Sequence, residues 1–127
     1  MQITFADSLP ADAALLASIA NKDSMPEGIE PALAEGAKRG RFKGGAGQVI
    51  DGFVERDGKV VRVALAGAGD AKAKDRRANL EKAGGALAAK YLTSGESTLA
   101  LDLSGTDLSA DDAAAVILGL RLRSWQW

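Results

Sequence analysis

The sequence predicts an α/β domain with a mixed sheet flanked by helices, and three observations carry that prediction. Helix-like and strand-like segments alternate along the chain, which is the pattern of layered α/β structure. Two β-rich runs flank Arg56-Asp57-Gly58, and Asp-Gly between such runs is a strong hairpin signal because both turn positions accept positive φ. The second of these runs passes into Ala66-Gly67-Ala68-Gly69 and then into a charged, alanine-rich segment, giving a strand, glycine loop and helix in succession.

Taken in order, Gln2 to Phe5 alternates polar and apolar residues as a short opening strand does. Ala13 to Ile19 is apolar except for Ser18 and lies between Pro10 and Asn21-Lys22-Asp23-Ser24. Alanine favours helix, but a run of about two turns is short for one, so a buried strand is expected. Pro26 and Pro31 mark the start of a helix reaching Arg39, since proline is tolerated in a first turn and not later. Glycines between Gly40 and Gly47 end it. The hairpin strands span Gln48 to Glu55 and Lys59 to Leu65, and the next helix spans Lys74 to Leu92. After Thr93-Ser94-Gly95-Glu96 a further strand, Thr98 to Leu103, is apolar enough to be buried in a sheet. Ser109-Ala110-Asp111-Asp112 is a capping box for the last helix. That helix carries two apolar stripes: Val116, Ile117 and Leu120 on one face, and Leu118, Leu122 and Trp125 on another. One stripe covers a sheet, and the other wants a different partner.

The chain of 127 residues has the size of one domain, and its net charge of -1 argues against a general polyanion-binding surface. It has no cysteine and no histidine. Thiolate nucleophiles, sulfur-ligated zinc and histidine-dependent triads are thereby excluded, together with imidazole, the usual base and metal ligand near neutral pH. No convergent set of carboxylate, lysine, tyrosine or serine takes their place. No run approaches the about 18 apolar residues of a membrane helix, and the amino terminus does not have the form of a secretion signal, so the cytoplasm is the expected compartment.

Five places invite a closer reading, structural or functional. Gly67 and Gly69 sit where backbone amides and a helix amino terminus can hold a phosphate, although Lys72 occupies the third glycine position of G-x-G-x-x-G and Asp70 adds negative charge; the structural reading is a strand-to-helix turn. Lys38, Arg39, Arg41 and Lys43 surround Phe42, a composition suited to nucleic acid and equally to a helix carboxyl end. Asp102, Asp107, Asp111 and Asp112 could bind a hard metal but are explained by capping and loops. Tyr91, the only tyrosine, is expected to pack at its helix end with its hydroxyl in water. The ending Leu120 to Trp127, with two tryptophans, reads either as rings folded back on the core or as a face toward a further domain.

Three stretches resemble the amino-terminal domain of the leucyl aminopeptidases, also called cytosol aminopeptidases. They are Lys38 to Gln48, which is similar to that family's basic, glycine-rich approach to its hairpin; Val63 to Gly69, similar to its strand and glycine loop; and Asn79 to Ala86, similar to the following helix. Gly119 to Trp127 resembles the passage into a linker. The resemblance implies a macro-domain-like three-layer sandwich, with residues 1–127 a non-catalytic domain and a peptidase domain expected after 127. It also implies that two divalent ions, zinc or manganese, belong to that absent domain, which removes amino-terminal residues from peptides, and that full-length members form hexamers. Leu122, Trp125 and Trp127 are the candidates for interdomain contact. Two alternatives stand beside this reading: a freestanding nucleotide or ADP-ribose module using Gly67 and Gly69, and a DNA-binding module using Lys38 to Lys43.

Overall fold

A computed structural model describes residues 2–5, 15–56, 58–91, 98–103 and 106–125. Among the described residues, five strands and three helices follow in the order β1 (Gln2–Phe5), β2 (Leu15–Ala20), α1 (Pro31–Arg39), β3 (Val49–Arg56), β4 (Lys59–Gly67), α2 (Arg76–Tyr91), β5 (Thr98–Leu101) and α3 (Ala110–Trp125). The strands form one sheet in the order β1-β5-β2-β4-β3. β1, β5, β2 and β4 run parallel, and β3 pairs antiparallel with β4 from Val49↔Ala66 to Arg56↔Lys59. The expected mixed α/β sheet and the hairpin are therefore present; Asp57 of the turn lies outside the described residues, and its neighbour Gly58 has φ +79°.

Strand β2 is buried along its whole length. Placed between β4 and β5 and covered on both faces, it needs a continuous apolar run rather than alternation, which is why Leu15–Ala20 is a strand despite its alanines. Ala13 and Ala14 of the expected strand lie outside the described residues. Side chains of the sheet sort into two clusters. Leu15, Ala17, Ile19, Ala64, Ala66 and Leu99 point to the side packed by Leu80, Leu87, Tyr91, Val116 and Leu120 of α2 and α3. Leu16, Val63, Leu65 and Ala100 point to the other side, where Leu33 of α1 packs with them.

Several expected boundaries shift. α1 begins at Pro31, not near Pro26, because Gly28 at φ +81° and a turn at residues 27–28 intervene. α2 begins at Arg76 rather than Lys74, after two turns at residues 71–72 and 74–75. β5 ends at Leu101 instead of Leu103. α1 closes in a Schellman motif. Phe42 N–H donates to Ala37 C=O at 2.9 Å and Arg41 N–H to Lys38 C=O at 3.2 Å, and the left-handed position that usually takes glycine is held by Arg41 at φ +59°.

Candidate functional site

α3 is the element with two faces. Its start is the capping box anticipated from sequence: Asp112 N–H donates to Ser109 Oγ at 3.1 Å and Ser109 N–H donates to Asp112 Oδ2 at 3.3 Å. Val116 and Leu120 are fully buried against α2. The two helices meet backbone to backbone: a Cβ on Gly84 would collide with the Val116 carbonyl, and one on Gly119 with the Glu81 carbonyl. On the outward side Leu118 and Leu122 are 38% and 44% exposed, one turn apart. Trp125 ends the same helix; its side chain and the whole of Trp127 lie outside the described residues. The second stripe thus begins with two leucines that the described part of the fold leaves about two-fifths exposed.

The glycine loop is occupied by the protein itself. Gly67 N–H donates to Gln48 C=O at 2.7 Å, Ala68 N–H to Ala20 C=O at 2.9 Å, and Gly69 N–H to Gly44 C=O at 2.8 Å. A Cβ on Gly67 would strike the Gly44 and Gly45 backbone. These three amides tie β4 to the segment before β3 and to the end of β2, and α2 starts only at Arg76. The amides that a phosphate reading of Gly67 and Gly69 would draw on are thus donated to carbonyls within the fold.

The basic segment is dispersed in its roles. Lys38 and Arg39 form the last turn of α1, and Arg39 pairs with Glu35 at 3.0 Å. Arg41 holds the Schellman position, the Lys43 carbonyl accepts from Asp23 N–H at 2.7 Å, and Phe42 packs on the α1-side cluster instead of standing free to stack a base. All four cations are exposed.

Two polar constellations were missed by sequence reasoning. Tyr91 is fully buried, and its hydroxyl donates to Asp51 Oδ2 at 2.7 Å rather than reaching water. Arg62 donates to the same oxygen at 2.9 Å from Nε, and its guanidinium lies 4.9 Å from the Tyr91 ring and 5.6 Å from the Phe53 ring. Burial alone would raise the Asp51 pKa, but the hydrogen bonds from Tyr91 and Arg62 outweigh it and hold the carboxyl below its usual range. Burial, reinforced by the Asp51 carboxylate, pushes the Tyr91 phenol far up. On the other face Arg56 grips Glu30 with two bonds, Nε to Oε2 at 2.6 Å and Nη2 to Oε1 at 2.9 Å; the Arg56 bond keeps Glu30 below its ordinary value. Alternation does hint at the first, since Asp51 falls between Val49 and Phe53, and Arg62 shares its face with Ala64 and Ala66. Among the described residues no group of three carboxylate, histidine or cysteine side chains could hold a metal, and none of their helices is long and apolar enough to cross a membrane.

Comparison with known proteins adds the following. Residues 8–127 match the model of the cytosol aminopeptidase family, N-terminal domain. A probable cytosol aminopeptidase of Sinorhizobium fredii (strain NBRC 101917 / NGR234) is 36% identical over 100 residues, covering 79% of this chain and 19% of the relative. One from Rhodopseudomonas palustris (strain BisB5) is 38% identical over 90 residues, covering 68% and 17%. The chain thus spans about a fifth of the length of the relatives it matches. Among solved structures, the bottromycin maturation enzyme BotP in complex with Mn superposes with a TM-score of 0.66 at 24% identity, over 91% of this chain and 24% of that one, and so shares the fold.

Proposed function

Because the chain belongs to the cytosol aminopeptidase family as its N-terminal domain, we propose that it is a non-catalytic structural module that docks on the peptidase domain of a metal-dependent leucyl aminopeptidase. The carrying observation is the outward face of α3, where Leu118 and Leu122 stand exposed on a helix whose inner face is already fully used. An apolar stripe of this kind on a small domain is the signature of a contact surface. Trp125 continues the stripe in sequence, and Trp127 follows it. In this reading the macro-domain-like sandwich supplies shape and contact, while the zinc or manganese pair and the hydrolysis of amino-terminal residues reside in the peptidase domain, in the cytosol, within a hexamer. The residues at hand do not fit such a metal pair, having no carboxylate cluster among those described, so no chemical step is routed through this chain.

The test is a hydrolysis assay of the 127-residue chain on leucine amide with added manganese or zinc. The expected rate is that of buffer and metal alone. Saturable, protein-dependent release of leucine would refute the non-catalytic role.

A further inference from the structure

Strand β3 lies at one end of the sheet and pairs on one side only, with β4. The hairpin turn is two residues long, so Arg56 and Lys59 close it as a hydrogen-bonded pair, and by alternation residues 50, 52 and 54 also bond to β4. The bond from Gly67 N–H to Gln48 C=O has the same phase. The backbone N–H and C=O groups of Val49, Asp51, Phe53 and Glu55 therefore point outward, and no backbone group among the described residues bonds to them. Such an edge is a template for another strand unless cover or charge blunts it. Cover is missing: a groove lined by Ala32, Leu33, Gly36, Ile50, Gly52 and Val54 separates α1 from the edge, and a Cβ on Gly36 would meet nothing within 4 Å. Charge is largely spent inside the fold, Asp51 on Arg62 and Arg56 on Glu30. On the α2 side Phe53 and Val60 form an apolar patch, each 69% exposed.

The edge is complementary to itself in one register. Set antiparallel about a two-fold axis through Gly52, two copies of β3 pair Asp51 with Phe53 and Val49 with Glu55 of the mate, every member drawn from the outward-bonding set. The axis keeps like faces together, so Ile50 meets Val54 of the mate on the α1 side. Phe53 stands diagonal to the Phe53 of the mate, within the about 7–8 Å that aromatic side chains span. Glu55 arrives beside Gly47 of the mate, which the Lys82 side chain covers, and neither Glu55 nor Lys82 has an ion pair among the described residues. Neighbouring registers lose this match. An axis through Asp51 opposes that carboxylate to itself, and one through Phe53 sets Asp51 against Glu55, and like charges directly opposite are destabilising. We propose that β3 pairs with β3 of a second copy of this chain about Gly52, joining two five-stranded sheets into one and matching Glu55 with Lys82 at both ends. The outer face of α3 plays no part in this contact, so its failure would leave the docking reading untouched.

The experiment is sedimentation of the 127-residue chain from about 10 μM to about 1 mM, a range suited to a small interface. The weight-average mass should climb toward that of two chains. Glu55→Pro removes only an outward N–H, where an edge strand accepts proline, and should keep the chain monomeric with the circular dichroism of the parent. Should Glu55→Pro not fold, Phe53→Lys, at a residue already 69% exposed, serves in its place with the same loss of the dimer. Glu55→Lys and Lys82→Glu, each bringing like charges together twice per dimer, should each weaken association about tenfold or more. The two combined should restore it. Leu122→Asp, on the outer face of α3, should leave the dimer intact. The proposal is overturned by a chain that stays monomeric at about 1 mM, by a dimer that survives Glu55→Pro or its replacement, or by a double variant no tighter than the single ones. Dissociation with Leu122→Asp would assign the association to α3 and overturn it equally.

Discussion

Over one face of the sheet, α2 and α3 close on each other at Gly84 and Gly119 with no room for a single added carbon, whereas the opposite face is covered by the one short helix α1 and a loop, and keeps a cavity and a bidentate ion pair. The first face is held by shape. Its core is leucine, isoleucine, valine and alanine, with Tyr91 joining the Asp51–Arg62 ion pair at the rim. The second face is covered more openly, with Arg56 and Glu30 joining the hairpin to the residue that precedes α1. The difference teaches that tolerance to substitution varies across one sheet: each face carries an ion pair, but only the α2 and α3 side is closed backbone to backbone.

The most severe way to test that contrast is Gly84→Ala or Gly119→Ala. The new carbon meets backbone that cannot swing aside, so a loss at or beyond the about 3 kcal/mol upper range of overpacking is expected, enough to unfold a marginal domain. A urea midpoint near that of the parent chain would break the comparison. Next comes Tyr91→Phe, which removes a hydroxyl donated to a carboxylate and should cost about 1.5–3 kcal/mol by denaturant unfolding. The substitution has a pH signature as well. Because the folded Tyr91 pKa is raised, its contribution is complete below the free-tyrosine value of about 10 and is lost as pH climbs above it. The parent chain should therefore lose stability above about pH 10 more steeply than Tyr91→Phe does; equal slopes would contradict the buried pair.

Arg56→Ala sharpens the second face. Its ion pair is about a quarter to a third exposed, so solvent screening reduces the expected loss to about 1–2 kcal/mol. Glu30 then returns toward its ordinary pKa. In the parent chain the lowered Glu30 value gives stability that is present above the free-carboxyl range and lost as pH falls below about 4. Acid unfolding followed by circular dichroism should accordingly be shallower in Arg56→Ala between about pH 5 and 3. The smallest effect has the opposite sign. Arg41→Gly relieves a left-handed residue at the end of α1 and should stabilise by about 0.5–1 kcal/mol in a thermal melt; destabilisation would mean that the Arg41 side chain is needed where it stands.

How much of this was readable in advance follows the same division. The hairpin, the capping box of α3 and its inner stripe were legible because each is written in neighbouring residues. The parallel pairing of β2 with β4 and β5 was not, since the register of strands far apart in sequence is decided by burial of both faces. For the same reason Asp51 and Tyr91, 40 positions apart, could not be matched. Gly67 and Gly69 looked like an anion cradle because spacing alone cannot say where amides will donate; Gln48, Ala20 and Gly44 take them through long-range closure. Gly84 and Gly119 gave no signal beyond being small residues within helices, and only the crossing of α2 and α3 gives them a purpose.

The most direct measurement compares the two faces of α3 itself. Leu122→Asp, made both in the 127-residue chain and in a full-length family member carrying this domain, should lower the melting temperature of the isolated chain only slightly, because Leu122 is already 44% exposed. In the longer protein the same substitution should lower the melting temperature and speed proteolysis between the domains. An unchanged full-length protein, or an isolated chain that unfolds as readily as Gly119→Ala, would contradict a free outer face awaiting its partner domain.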